Sequence, residues 1–427
     1  MLSSIMRKKI ERRIQIDKED FFTDYFKYIG ESEAPDIYHR WTALSILGAN
    51  LGRNVWLPFG HSVVYPNQYV MLMGPAGARK GTAINPGVNA LRASGYKTFA
   101  PDAVSKEMFL AGIGKSEIGA EDSYDLDLDT LVEEGASETL VVAGEFNDFM
   151  GQGDMKFVTN LTNLWDNLPH FHHPKLTGKD VFIIKPTINI LGGNTQQGFA
   201  LCIPPEAVGN GFCSRFIFVG SEATGKRITF PKPVSQEFKD KIVSRLKDMR
   251  ESARGPLAFD PESESTFDRI YKEFKPIDDV RFTHYSSRRF THLLKLCIIL
   301  ATADSRNIIT ASDAINANTI LSAAERRMPK ALGEFGRSRN SAATAAILEV
   351  LNRSHEPLSI NQLWKLVHKD LNKVAELTDI ILGLTRASKI QLVKAGGKQG
   401  YMTKTVMEEK WDDNLLNAGY LTEEELD

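Results

Sequence analysis

The sequence predicts an α/β protein: a parallel-sheet core with a helical region before it, a helical lid after it, and a small C-terminal unit. Three observations predict this. Four short apolar runs, each bounded by glycine or an acid, are separated by helical stretches, which is the pattern of repeated βα units. From Arg254 to about Lys330 the pattern is helical only. Residues 341–404 then read as three helices and a hairpin closed by a glycine turn.

Along the chain, residues 1–62 form a helical region that opens with a charged arm. Phe22, Tyr25, Phe26 and Ile29 make one apolar stripe, and Trp41, Leu44 and Leu47 a second. Residues 63–235 form the core. Its four expected strands lie in residues 63–73, 139–146, 181–193 and 211–220. Residues 121–134 carry seven acids and no base and read as a surface segment. Residues 236–335 are the lid. Residues 341–404 are expected to fold as a winged helix. Residues 405–427 are an acidic tail.

Composition sets the outer limits. With 427 residues, 42% hydrophobic and 25% charged, the chain is long enough for several packed domains and too apolar to be disordered. Its longest apolar run, near Leu293–Ala301, contains Lys295 and is too short for a bilayer span. No secretory signal is expected, since no apolar core follows Arg7, Lys8 and Lys9. The three cysteines, Cys202, Cys213 and Cys297, include no CxxC pair. That excludes a disulfide framework and a zinc knuckle and suggests a reducing, cytoplasmic compartment. Cys202 and Cys213 are expected to be buried small hydrophobes. The run His170-Phe171-His172-His173 would need a fourth ligand to hold zinc, and an exposed histidine-rich loop is the expected alternative.

The segment Gly74-Pro75-Ala76-Gly77-Ala78-Arg79-Lys80-Gly81-Thr82 follows an apolar run and precedes a helical stretch. Small residues there let backbone N–H groups converge on phosphate oxygens, a lysine reaches the terminal phosphates, and a helix N-terminus adds its dipole. Against the pattern GxxxxGK[ST], Arg79 stands for the last glycine and Gly81 for the magnesium-binding hydroxyl. Thr82 is one residue late. The alternative reading is a glycine turn with a lysine beside it by chance.

The loop resembles that of minichromosome maintenance helicases, in which a non-glycine residue also precedes the lysine. AGEFNDFM (143–150) resembles that family's Walker B segment, LGGNTQQ (191–197) its sensor-1 loop, CSRFIFV (213–219) its arginine-finger segment and SSRRFTHLLKL (286–296) its sensor-2 helix. The layout of residues 20–330 also resembles phage, plasmid and mobile-element ATPases, including DnaB-like replicative helicases. The resemblance implies a P-loop AAA+/RecA-like core. It implies that Glu145 polarises the attacking water, Asn194 orients the water or γ-phosphate, Arg215 is an arginine finger acting in trans, and Arg288 is sensor 2, in cis or in trans. Gly144 falls on the Walker B aspartate, so Mg²⁺ would rest on nucleotide oxygens, Glu145 and Thr82, with Asp148 as a reserve ligand. Arg215 can alternatively be read as a structural ion pair, Glu145 as a surface acid and Asn194 as a turn residue.

The function implied is an ATP-dependent DNA helicase or translocase of phage or mobile-element replication. It would form a homo-oligomeric ring, expected to be a hexamer, hydrolysing ATP with Mg²⁺ at subunit interfaces. An arginine finger contributes roughly 10³–10⁵ in rate in general. Single-stranded DNA would contact pore loops in residues 105–125 and 151–180 through Lys156, Lys175 and Lys179. The winged helix would meet DNA backbone through Lys373, Arg386, Lys389, Lys394 and Lys398, or dock protein instead. The alternatives are a nucleotide-dependent DNA-binding or helicase-loading platform with weak or no hydrolysis, and a structural oligomer that binds nucleotide.

Overall fold

The computed structural model describes residues 20–101, 105–114, 116–119, 135–151, 153–166, 168–173, 179–333, 335, 346–351, 354, 358–368, 373–386, 390–395 and 398–403. The expectations for residues 1–19, 121–134, 336–340 and 405–427 lie outside them. The chain divides into two compact units after Phe335.

The first unit is built on four strands: β1 (Tyr69–Met73), β2 (Glu138–Ala143), β3 (Thr187–Asn194) and β4 (Phe216–Gly220). They form one parallel sheet in the order β2-β3-β1-β4. Beyond β2 a single parallel bridge pairs Phe99 with Leu140. Every residue of β1, β3 and β4 is buried, as expected of parallel strands covered on both faces.

Two of the expected strands are each two elements. In residues 63–73, Ser62–Val64 turns back antiparallel on Val55–Phe59, and only Tyr69–Met73 joins the core. The run 181–193 breaks at Lys185-Pro186, where Lys185 has φ +44° and proline cannot donate to a ladder. Its first half, Lys179–Ile184, is the middle strand of a three-stranded antiparallel sheet with Ser116–Gly119 and His170–His173. The histidine run is therefore a strand, not a loop. Among the described residues no group of histidine, cysteine or acidic side chains could hold a metal.

The helices that build the site and its surroundings are α1 (Phe21–Ile29), α2 (Asp36–Leu51), α3 (Lys80–Ala93), α4 (Phe146–Met150), α5 (Met155–Trp165), α6 (Gln196–Cys202), α7 (Gln236–Ser252), α8 (Thr283–Ala303), α9 (Ala311–Glu325) and α10 (Met328–Leu332). Strand alternation assigns the faces. Tyr69, Met71, Phe216 and Phe218 point toward α4, α5 and α6. The Tyr69 hydroxyl donates to Leu161 O, and Phe146 and Phe199 ring-pack on Phe216 and Phe218. The opposite face carries α2 and α3. Thirteen of the sixteen residues of α2 are buried, so it is covered all round rather than along one stripe. Pro86 sits inside α3 without ending it.

The second unit has a helix through residues 346–351, two more at Ile360–Val367 and Val374–Arg386, and a hairpin of Ile390–Ala395 with Lys398–Thr403. Leu358 bridges Tyr401. Ile347, Leu351, Leu363, Leu377, Ile381 and Ile390 form its core. Among the described residues, no helix in the chain is long and apolar enough to cross a membrane.

Candidate functional site

Loops following the four parallel strands meet at the sheet's carboxyl edge, where α/β folds hold ligands. After β1 comes Gly74–Arg79, after β2 Gly144–Glu145, after β3 Thr195–Gln196, and after β4 Ser221–Glu222. Gly74 N–H donates to Asn194 O at 3.2 Å, and Ser221 N–H to Met73 O at 3.1 Å, which locks the edge together. The buried Tyr38 hydroxyl lies 2.7 Å from Met73 O and 2.9 Å from Ser221 O. A Cβ at Gly74 would come 2.5 Å from both that hydroxyl and Ser221 O, so the strand end leaves room only for glycine.

The loop turns through Gly77 at φ +83° and Arg79 at φ +60°. Arg79 therefore occupies, as a non-glycine residue, the left-handed conformation that suits glycine, at a cost of roughly 1–2 kcal/mol. Lys80 opens α3. Its Nζ donates to Gly74 O at 3.0 Å and Pro75 O at 3.1 Å. Burial pushes its pKa below the ordinary lysine value, and the Glu145 charge nearby opposes the shift. Apart from Ala78 N–H, which donates to Pro75 O, the N–H groups of residues 76–82 donate to no acceptor among the described residues. They are free to bind an anion at the positive end of a fourteen-residue helix.

Glu145 follows β2, is exposed and stands at the N-cap position of α4 without a side-chain bond to the helix. Thr82 is exposed, one step around the helix from Gly81. Cβ atoms at Gly81 and Gly144 would meet nothing within 4 Å. Both positions are thus sterically open.

The other expected residues sit elsewhere. Asn194 is at the strand end but fully buried. Its Oδ1 accepts Thr195 N–H at 2.8 Å and its Nδ2 faces Cys202 Sγ at 3.9 Å, so the amide is turned into α6. Arg215 precedes β4 and is level with the start of β1. That is the opposite edge of the sheet, roughly 20 Å of strand from the loop. It is 5% exposed, bonded to Asp166 at 2.5 Å and Gly211 O at 3.0 Å, and stacked on Trp165. Within the protomer it is a structural ion pair, not a projecting finger. Arg288 lies beside it on α8, donating to Ser214 Oγ at 2.8 Å. Burial, and then the Arg215 charge, lower its pKa. It is half-buried and does not approach the loop of its own protomer.

Residues the sequence reading missed occupy the cleft beside the loop. About 290 Å³ in volume, it is lined by Gly74, Pro75, Gln196, Glu222, Arg327 and Lys330 among others. Arg327 and Lys330 follow α9, near the end of the first unit. A Cβ at Gly220 would touch Ala331 at 3.0 Å and Arg327 O at 3.1 Å, so α10 packs tightly on the end of β4. Lys330 pairs with Glu222 at 3.0 Å, and Gln196 Nε2 donates to Lys330 O at 2.6 Å. The run ERRMPK (325–330) reads as an ordinary basic helix end; only the tertiary fold carries it to the loop.

Lys156 is exposed. Lys175 and the Lys179 side chain lie outside the described residues. In the second unit Lys373 is exposed, while the side chains of Arg386, Lys389, Lys394 and Lys398 lie outside the described residues. The described exposed side chains of helix Val374–Arg386 include Val374, Leu382 and Thr385, while those of its charged residues Glu376, Asp379 and Arg386 lie outside the described residues. Cys202 and Cys213 are buried, and burial pushes both thiols up to about 12, which makes them inert.

No family model matches this chain, and no curated protein matches it in sequence.

Proposed function

We propose that the first unit binds ATP with Mg²⁺ at residues 74–82, and that the chain is an AAA+-type ATPase acting as a helicase or translocase in phage or mobile-element DNA replication. One observation carries this reading. A parallel sheet delivers a left-handed glycine–arginine turn, unpartnered N–H groups, Lys80 and Glu145 to a single edge. Phosphoryl transfer needs little more than such positioned charge. The N–H groups of residues 76–82 and Lys80 would hold the phosphates, and Arg327 and Lys330 would face them from the lid. Thr82 and Glu145 would hold Mg²⁺, which would supply positive charge against the phosphates, and Glu145 lies on the same edge to orient a water molecule. Arg288, half-buried at the opposite edge, suits a guanidinium acting across a subunit boundary in a ring. The residue 341–404 unit, read as a winged helix, would meet DNA backbone through Lys373.

A second reading is a nucleotide-dependent DNA-binding or helicase-loading platform. It is favoured by the bare Cβ positions at Gly81 and Gly144. ATP hydrolysis with and without single-stranded DNA separates the two. The motor gives DNA-stimulated turnover that Lys80→Ala and Arg288→Ala abolish. ATP binding without turnover selects the platform. Turnover unchanged in Lys80→Ala overturns the site assignment itself.

A further inference from the structure

Residues 221–234, between β4 and α7, have no regular secondary structure and are largely exposed, with Phe230 at 88%. The segment begins at the cleft, where Ser221 and Glu222 are lining residues. Its middle is held by one residue of the α1–α2 connection. Thr224 Oγ1 donates to Glu33 O at 2.7 Å, and Ile228 N–H donates to Glu33 Oε1 at 2.8 Å. The same carboxylate pairs with Arg79 at 2.5 Å. Two looser ion pairs, Glu222–Lys330 and Lys232–Glu31, complete the anchorage. Glu33 thus ties the strap directly to the residue that stands where the phosphate loop calls for glycine. The Ile228 N–H, and with it the Arg79 charge, hold the Glu33 carboxyl below the usual range.

We infer that Arg79 is a positioning residue that exchanges its Glu33 carboxylate for the phosphate of a bound nucleoside triphosphate, and that this exchange releases the 221–234 strap from the mouth of the site. The inference rests on the phosphate-loop reading. A guanidinium pairs with carboxylate or phosphate through the same bidentate geometry, and phosphate brings the larger charge. The Arg79 side chain is 53% exposed, on the loop itself, so it changes partner without unfolding the core. With Arg79 withdrawn, the Glu33 carboxylate loses the ion pair that fixes its orientation toward Ile228 N–H, so that bond is held less firmly and the strap opens more often.

Thr224 and Ile228 flank Lys226 and Arg227, so trypsin reads the strap directly. Cleavage there needs local opening, and its rate follows the open population when reclosing is fast. Full-length protein is digested with and without a slowly hydrolysed ATP analogue and Mg²⁺, and binding of a fluorescent ATP analogue is measured in parallel. The expected result is cleavage after Lys226 and Arg227 that is about tenfold faster with nucleotide, the scale of one charged hydrogen bond. Glu33→Ala is cut at the fast rate without nucleotide, and nucleotide adds nothing. The near-isosteric Glu33→Gln lies between, because its amide oxygen still accepts the Ile228 N–H. Nucleotide binding with unchanged cleavage, or Glu33→Ala cut at the wild-type rate, overturns the exchange and leaves the phosphate loop standing. No binding at millimolar nucleotide overturns both.

Discussion

Replacing Arg215 by alanine tests whether this guanidinium holds the protomer together or waits for a neighbour. The side chain is 6% exposed, and its partner Asp166 is 39% exposed. Removing one member of a buried pair costs about 3–5 kcal/mol when the orphan stays buried. Asp166 can rehydrate, so the loss belongs at or below the low end of that range. The bond to Gly211 O adds about 1–1.5 kcal/mol, and the contact with the Trp165 ring about 1 kcal/mol. These contributions overlap, and the expected destabilisation is about 3 kcal/mol. Equilibrium urea unfolding measures it, with Arg288→Ala as the comparison, because Arg288 is half-buried and loses mainly a hydroxyl partner. A loss below about 0.5 kcal/mol, the range of an ordinary surface substitution, together with lost ATP turnover, would refute the structural role and restore the finger.

Three further outcomes follow from the same geometry. Lys295 is 1% exposed, bonded to Tyr65 O and Asn67 Oδ1, and pushed down to about 7 by burial. Its folded-state pKa lies below its unfolded value, so it costs stability most below pH 7 and progressively less as pH rises toward 10. Wild type minus Lys295→Met should therefore gain about 2–3 kcal/mol in unfolding free energy from pH 6 to pH 9; a flat difference contradicts the burial. Gly81→Ser with Gly144→Asp should fold normally, since both Cβ sites are open, and should lower the Mg²⁺ concentration needed for half-maximal ATP binding; an unchanged Mg²⁺ requirement counts against the assigned metal positions. Gly74→Ala, whose Cβ would lie 2.5 Å from Tyr38 Oη and Ser221 O, should lose about 1–3 kcal/mol by overpacking, read as a lower midpoint in thermal unfolding.

The strand-to-loop-to-helix unit around Gly74 was legible because an apolar run, glycines and a lysine are local signals. Glu145 was legible for the same reason, at the end of TLVVAG. The breaks inside residues 63–73 and 181–193 were hidden by continuous hydrophobicity, although Pro66 and Pro186 stood at them. Arg215 was placed correctly in sequence, before a strand, but burial is a tertiary property: its pairing with Asp166 spans 49 positions. The same holds for Arg327 and Lys330, whose approach to the loop depends on how α10 packs against Gly220. Glu33 gave no signal at all, because a single acid between two helices is ordinary until the fold brings Arg79 and Ile228 to it.

Calorimetric titration of the full-length protein with a slowly hydrolysed ATP analogue and Mg²⁺ addresses the phosphate loop most directly. The geometry predicts one site per chain, with affinity weakened at least about tenfold by Lys80→Ala through loss of a charge-assisted contact. Absence of binding, or equal affinity in the variant, would contradict the assignment of residues 74–82 as the nucleotide site.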